Sequence, residues 1–169
     1  MILYLALEGV LLPVDCLADL EQRTGFDTHR MAMLEPGLKL ATILEPFPGI
    51  EIVLNTWWTY YIGTSECRKL LPKALAKRVI GAVLARPSRY DAFPNRPSAA
   101  ENHLLAHGYP QLLLLDHIHA RYSTAALRYT LLIHDVTRWH DPHLIDTLEK
   151  RLRKLTQAGG AQRRRGIVA

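Results

Sequence analysis

The opening residues constrain the fold most. An apolar run from Ile2 to Leu7 breaks at Glu8-Gly9 and resumes as Val10-Leu11-Leu12-Pro13. So short a run, ended by an acid and a glycine, reads as a buried strand followed by a tight turn. Comparable apolar runs recur at 50–54, 79–84, 111–115 and 129–133. Near-continuous apolar strands belong to sheets covered on both faces. Alternating with helical segments, they predict an α/β protein: a three-layer αβα sandwich around a mainly parallel sheet.

The connecting segments carry start and stop signals. Asp15 caps a short helix expected through Arg23 and closed by Gly25, and residues 24–35 show no clean period and read as an excursion over the strand ends. Pro36 opens an amphipathic helix with Leu38, Ala41, Ile43 and Leu44 on its apolar stripe, closed by Pro46 and Pro48. Thr64 or Ser65 caps a helix through Leu71, Pro72 starts another through Arg78, and 87–97 is a Pro-rich loop. Ser98 and Glu101 have capping-box spacing for a helix that reaches His107 and stops at Gly108. Asp141 caps the last helix, Pro142 opens it, and Leu144, Leu148, Leu152 and Leu155 follow at helical spacing. Ala158-Gly159-Gly160 is expected to end it. The division is therefore one domain, 1–156, and a flexible basic tail, 157–169.

The length of 169 residues suits one domain. With 49% hydrophobic and 22% charged residues it reads as globular, and no apolar stretch is long enough to span a bilayer. The start lacks the basic region of a signal peptide and carries Glu8 within its apolar segment. Cys16 and Cys67 make no disulfide framework or zinc knuckle, and cytosolic thiols are expected. There are 21 Lys and Arg against 16 Asp and Glu. Seven bases (Lys150, Arg151, Arg153, Lys154, Arg163, Arg164 and Arg165) lie in the last twenty residues, which hold no acid, so the body has 14 against 16, or −2. The basic arm is either a solvated helix end, whose charges suit the helix dipole, or a contact for nucleic acid or another acidic partner.

Four blocks then stand in order: Leu-x-Leu-Glu-Gly-Val-Leu-Leu-Pro, Ile-Val-Leu-Asn-Thr-Trp-Trp, Leu-Pro-x-x-Leu-x-x-Arg-Val-Ile-Gly-Ala and Leu-Leu-Leu-Leu-Asp. Together they resemble the haloacid dehalogenase-like (HAD) superfamily. They look closest to the small HAD domains of bacterial RNA-repair ("Swiss Army knife") proteins and their stand-alone relatives, with a Rossmannoid core and minimal or no cap. The resemblance implies an aspartate nucleophile, a second acid that protonates the leaving group, a hydroxyl and a cation for the phosphoryl group, and acids for Mg2+. The nucleophile position falls on Ala6, whose methyl group can neither attack phosphorus nor bind a cation. The acid/base position falls on Glu8. The phosphate-binding hydroxyl position falls on Asn55 or Thr56, and the cation position on Arg86, Arg89 or Arg96, with Arg89 taken as the phosphate ligand. Asp116 stands at the metal position with His117 after it, so Mg2+ is left with Asp116 and Glu8. These joint departures imply that aspartyl-phosphate chemistry is absent.

Each residue also has a structural reading. Glu8 is a turn acid accepting bonds from the amides that follow it, Asp116 and Thr56 are helix caps, and Trp57, Trp58, Tyr60 and Tyr61 pack together. Acid–histidine pairs at Asp116-His117-x-His119, His134-Asp135 and His140-Asp141-x-His143 offer imidazole and carboxylate donors for a transition metal, without a matching ligand signature. The expectation is a catalytically inactive binding or interaction module for a phosphorylated small molecule, nucleic acid or protein. The alternatives are a Mg2+-dependent phosphohydrolase using Glu8 and Asp116 without a covalent intermediate, a histidine-based metal hydrolase, and a structural partner.

Overall fold

The computed structural model describes residues 1–16, 26–85, 94–108 and 111–165. Five strands, β1 (Ile2–Leu5), β2 (Glu51–Leu54), β3 (Val79–Ala82), β4 (Leu112–His117) and β5 (Thr130–Ile133), form one parallel sheet in the order β3-β2-β1-β4-β5. Alternate residues face opposite layers, as a strand requires. Leu3, Leu5, Ile52, Leu54, Leu113 and Leu115 join the larger core. Ile2, Tyr4, Val53, Leu112 and Leu114 join a smaller core on the other face.

The helices divide accordingly. The larger core takes buried residues from α1 (Phe26–Leu44), α2 (Trp57–Ile62), α3 (Thr64–Leu70), α4 (Lys73–Ala76) and α7 (Pro142–Arg165). The smaller core takes Ala100 from α5 (Arg96–His107) and Ala126 from α6 (Thr124–Leu127). The chain therefore winds outward through β2 and β3, then returns to lay β4 on the other side of β1. In open parallel sheets that reversal marks the crevice where ligands bind. No helix among the described residues is long and apolar enough to cross a membrane.

Several segments differ from expectation. Only a 3₁₀ turn, Val14–Cys16, is described of the helix expected from Asp15, since residues 17–25 lie outside the described residues. From Phe26 the expected excursion is already α1, and Pro36 lies inside it. The buried stripe explains this. Met33, Pro36, Gly37, Leu40, Ile43 and Leu44 recur at helical spacing across the proline, whereas Leu38 is 49% exposed and lies off the stripe. Gly37 permits the close approach of α1 to the start of α4, because an added Cβ would lie 2.8 Å from Pro72.

Trp57–Ile62 is helical despite its β-prone aromatics, and Trp58 packs edge-on against His29 of α1 at 5.2 Å between ring centres. The cap of α5 is Asn95, whose side chain accepts from Ser98 N, while Glu101 accepts from Ser123 N, so Ser98 and Glu101 form no capping box. Of the Pro-rich loop, residues 86–93 lie outside the described residues. Strand β4 extends through His117 because Asp116 and His117 still pair with Leu132 and Ile133. Helix α7 continues to Arg165 through Gly159 and Gly160. Glycine weakens a helix interior by about 1 kcal/mol, but it stops a helix only where it turns left-handed.

The loop after β1 is closed by hydrogen bonds from Gly9 N to Leu12 O (2.6 Å) and from Leu11 and Leu12 N to Leu7 O. Gly9 has φ +72°, and an added Cβ would lie 2.6 Å from His117 Cβ. Gly9→Ala is therefore expected to destabilise the protein by roughly 2 kcal/mol or more, from positive-φ strain and overpacking together. Urea unfolding checks this, and an unchanged midpoint would show that β1 and His117 separate without penalty.

Candidate functional site

Register places the site. Leu5 pairs with Leu54 on one side and Leu115 on the other, so the next residues, Ala6, Asn55 and Asp116, stand side by side at the strand ends. Ala6 N donates to Leu115 O and Asn55 N to Leu5 O. All three residues are fully buried. Thus the topology brings together the positions that the resemblance singles out, and Ala6 presents only a methyl group there.

Asp116 organises the cluster. Its Oδ2 accepts from Arg96 Nη1 (2.6 Å), Tyr122 Oη (2.6 Å) and Asn55 Nδ2 (3.1 Å). Its Oδ1 accepts from Arg96 Nη2 (2.9 Å) and His117 N (2.7 Å). A carboxylate offers about four lone-pair sites, so these donors saturate it. Asp116 is a buried counter-ion rather than a helix cap. Arg96 Nη1 also donates to Asn55 O (2.9 Å), which fixes the guanidinium to the end of β2. Burial alone would lower the Arg96 pKa, but Asp116, with help from Glu8, holds it above the ordinary range. Burial, and next Asp116, push the Tyr122 phenol up, so it remains a donor.

Glu8 reaches across to β2 instead of its own turn. Its Oε1 accepts from Thr56 Oγ1 (2.7 Å) and Trp57 N (2.8 Å). Thr56 in turn accepts from Trp58 N and caps α2, so its hydroxyl is held between Glu8 and the helix. Glu8 Oε2 and Asn55 Oδ1 are buried without a hydrogen bond. Burial raises the Glu8 pKa against the pull of Arg96 and the Thr56 bond.

Of the three candidate cations, Arg96 enters the cluster, while Arg86 and Arg89 lie outside the described residues. Arg96 and Tyr122 were the partners hardest to foresee. One signal for Arg96 was local: a cation in the first turn of a helix opposes the helix dipole and calls for a nearby acid. Tyr122 gave no comparable signal.

The donor set does not fit Mg2+. Position 6 supplies no side-chain oxygen and Asp116 is saturated, which leaves Glu8, among the described residues of the cluster, as the carboxylate with a free oxygen. The histidines do not compensate. His117 donates from Nε2 to His134 O (2.8 Å) and accepts at Nδ1 from His119 N (3.4 Å), so both ring nitrogens are engaged. Asp135 and Asp141 accept from Thr137 N and His143 N as local caps. Among the described residues, no three His, Cys, Asp or Glu side chains converge as a metal site.

A known family model matches residues 2–154, that of the HAD domain in Swiss Army Knife RNA repair proteins, and the chain belongs to this family. The fold it implies is the one observed. Neither a curated protein nor a solved structure matches the chain.

Two stability measurements follow from the cluster. Asp116→Asn and Arg96→Met are each expected to cost about 3–5 kcal/mol, because each strands a buried charge, and the double variant is expected to lose clearly less than their sum. Additive losses in urea unfolding would mean that the two residues are not coupled. Glu8 binds its proton more tightly folded than unfolded, so its own contribution to stability is greatest below the ordinary glutamate pKa of about 4.3 and is lost as pH rises through the folded value. Glu8→Gln is expected to match the parent near pH 4 and exceed it at pH 7. A lower Tm for Glu8→Gln at pH 7 would contradict the direction.

Proposed function

We propose that this HAD-fold chain is a binding module that performs no aspartyl-phosphate chemistry. The observation that carries the reading is the saturation of Asp116 by five donors, two of them from Arg96, beside an alanine at the nucleophile position. Losing a covalent nucleophile at ~10⁴-fold in rate already corresponds to ~5.5 kcal/mol of barrier. Arg96 fills with a side chain the place where the family's chemistry needs a cation, and Thr56 is held by Glu8. We take the ligand to be a phosphorylated small molecule or a nucleic acid, and we place the protein in the cytoplasm, which suits its buried free thiols Cys16 and Cys67.

The basic C-terminal segment supports such a partner, although part of its charge is already engaged. Lys150 pairs with Asp146 and Arg153 with Glu149, while Arg151 donates to Thr130 O. One feature favours the second reading, a phosphohydrolase using Glu8 and Asp116: the unpaired Glu8 Oε2, on a carboxyl that retains its proton more readily than usual.

Assay of the full chain against a panel of phosphate esters with Mg2+ tests both readings. The parent, Ala6→Asp and the double change Ala6→Asp with Glu8→Asp are expected to release no phosphate above background, since Arg96 still occupies Asp116. Mg2+-dependent turnover by the parent that disappears in Glu8→Gln would overturn the binding-module reading.

A further inference from the structure

Away from the strand ends, α1, α3 and α4 enclose a groove of about 490 Å³. Arg30 comes from α1, Ser65, Arg68 and Lys69 from α3, and Lys73 from α4, over a floor that includes Leu71 and Ala76. We propose that this groove is an anion site for a ligand carrying two or more phosphate groups. The inference deepens the binding-module reading and rests on it for the ligand class, but it locates the ligand away from the strand ends, where the catalytic positions implied by the family fall.

Charge distribution supports it first. The body of the chain has 14 basic and 16 acidic residues, yet among the described residues four of those bases line this one groove and no acid does. Lys69 pairs with Glu66 at 2.6 Å, an exposed contact that contributes little in water. Among the described residues, Arg30, Arg68 and Lys73 form no salt bridge, and all three are exposed. Like charges gathered from separate helices repel one another, and a bound polyanion relieves that repulsion.

The groups also suit phosphate. Two guanidinium forks can each bind phosphate oxygens through paired N–H bonds, and the two ammonium groups and the Ser65 hydroxyl add donors of shorter reach. Among the described residues no aromatic side chain lines the groove, so they offer no platform for stacking bases. Recognition would therefore fall on the phosphates, presented by either a free oligophosphate or the backbone of a single strand. Arg96, by contrast, is buried and engaged by Asp116.

Tripolyphosphate and a short oligothymidylate, titrated against the full chain at low salt, distinguish those sources by which binds more tightly per phosphate. The groove variant Arg30→Gln/Arg68→Gln/Lys73→Gln is expected to bind the tighter probe roughly tenfold or more weakly. For the strand, its slope of log affinity against log salt is expected to be shallower by about 2, at ~0.7 per lost phosphate contact. The control variant, Arg163→Gln/Arg164→Gln/Arg165→Gln, removes the competing C-terminal charge and is expected to weaken the tighter binding less than the groove variant does. Because the groove substitutions are on exposed side chains, an unchanged Tm verifies that the fold is intact. Binding that survives the groove variant but disappears in the control would overturn the groove while sparing the binding-module reading. Failure of both probes to bind the parent would overturn the groove and the phosphorylated-ligand class together. Phosphate-ester turnover bears on the module reading alone.

Discussion

The ion pair between Arg96 and Asp116 sets the terms for everything at the strand ends. Taking both charges out of water costs several kcal/mol each, and only close pairing with further hydrogen bonds offsets it. The structure supplies those bonds from four elements: the end of β2 through Asn55, the start of α5 through Arg96, the segment before α6 through Tyr122, and β4 itself through His117 N. Each partner is thereby held in one orientation. The polar cluster behaves as part of the core, and it ties the ends of β2 and β4 together across β1 at the crevice where open parallel sheets bind ligands.

Strands β1 and β4 were legible because they are buried on both faces and so are apolar along most of their length, whereas edge strand β3 leaves Ile80 exposed and was read from its apolar composition. The alignment of Ala6, Asn55 and Asp116 was legible too, since each follows an apolar run and parallel register aligns them, although β4 itself runs on through His117. Helix α1 was misread at Pro36, because proline is a good first-turn residue and its tolerance inside a helix depends on burial that one sequence does not reveal. The aromatic block was hidden for the opposite reason, since Trp and Tyr favour strands locally while Trp58 is drawn into the core of a short helix.

The identity of the buried cation was the main feature beyond local reading. Three arginines were available by type, and only the path of the chain into α5 brings Arg96 to Asp116. Charge counting had the same limit. It correctly isolated a basic C-terminal arm, but it could not show that three of those bases are held by neighbours. Nor could it show that Arg30, Arg68, Lys69 and Lys73, more than forty positions apart at the extremes, line one groove.

The left-handed turn at Gly9 and the packed ring of His117 have a consequence for how this crevice tolerates change. A carboxylate placed at position 6 would enter a neighbourhood whose guanidinium is already tethered to Asp116. Removing Arg96 first would strand Asp116, and removing Asp116 first would strand Arg96. Either single change therefore gives a less stable protein, whereas changes on exposed side chains carry no such penalty. The strand ends act as a ratchet: the pair is kept by the cost of undoing it one residue at a time.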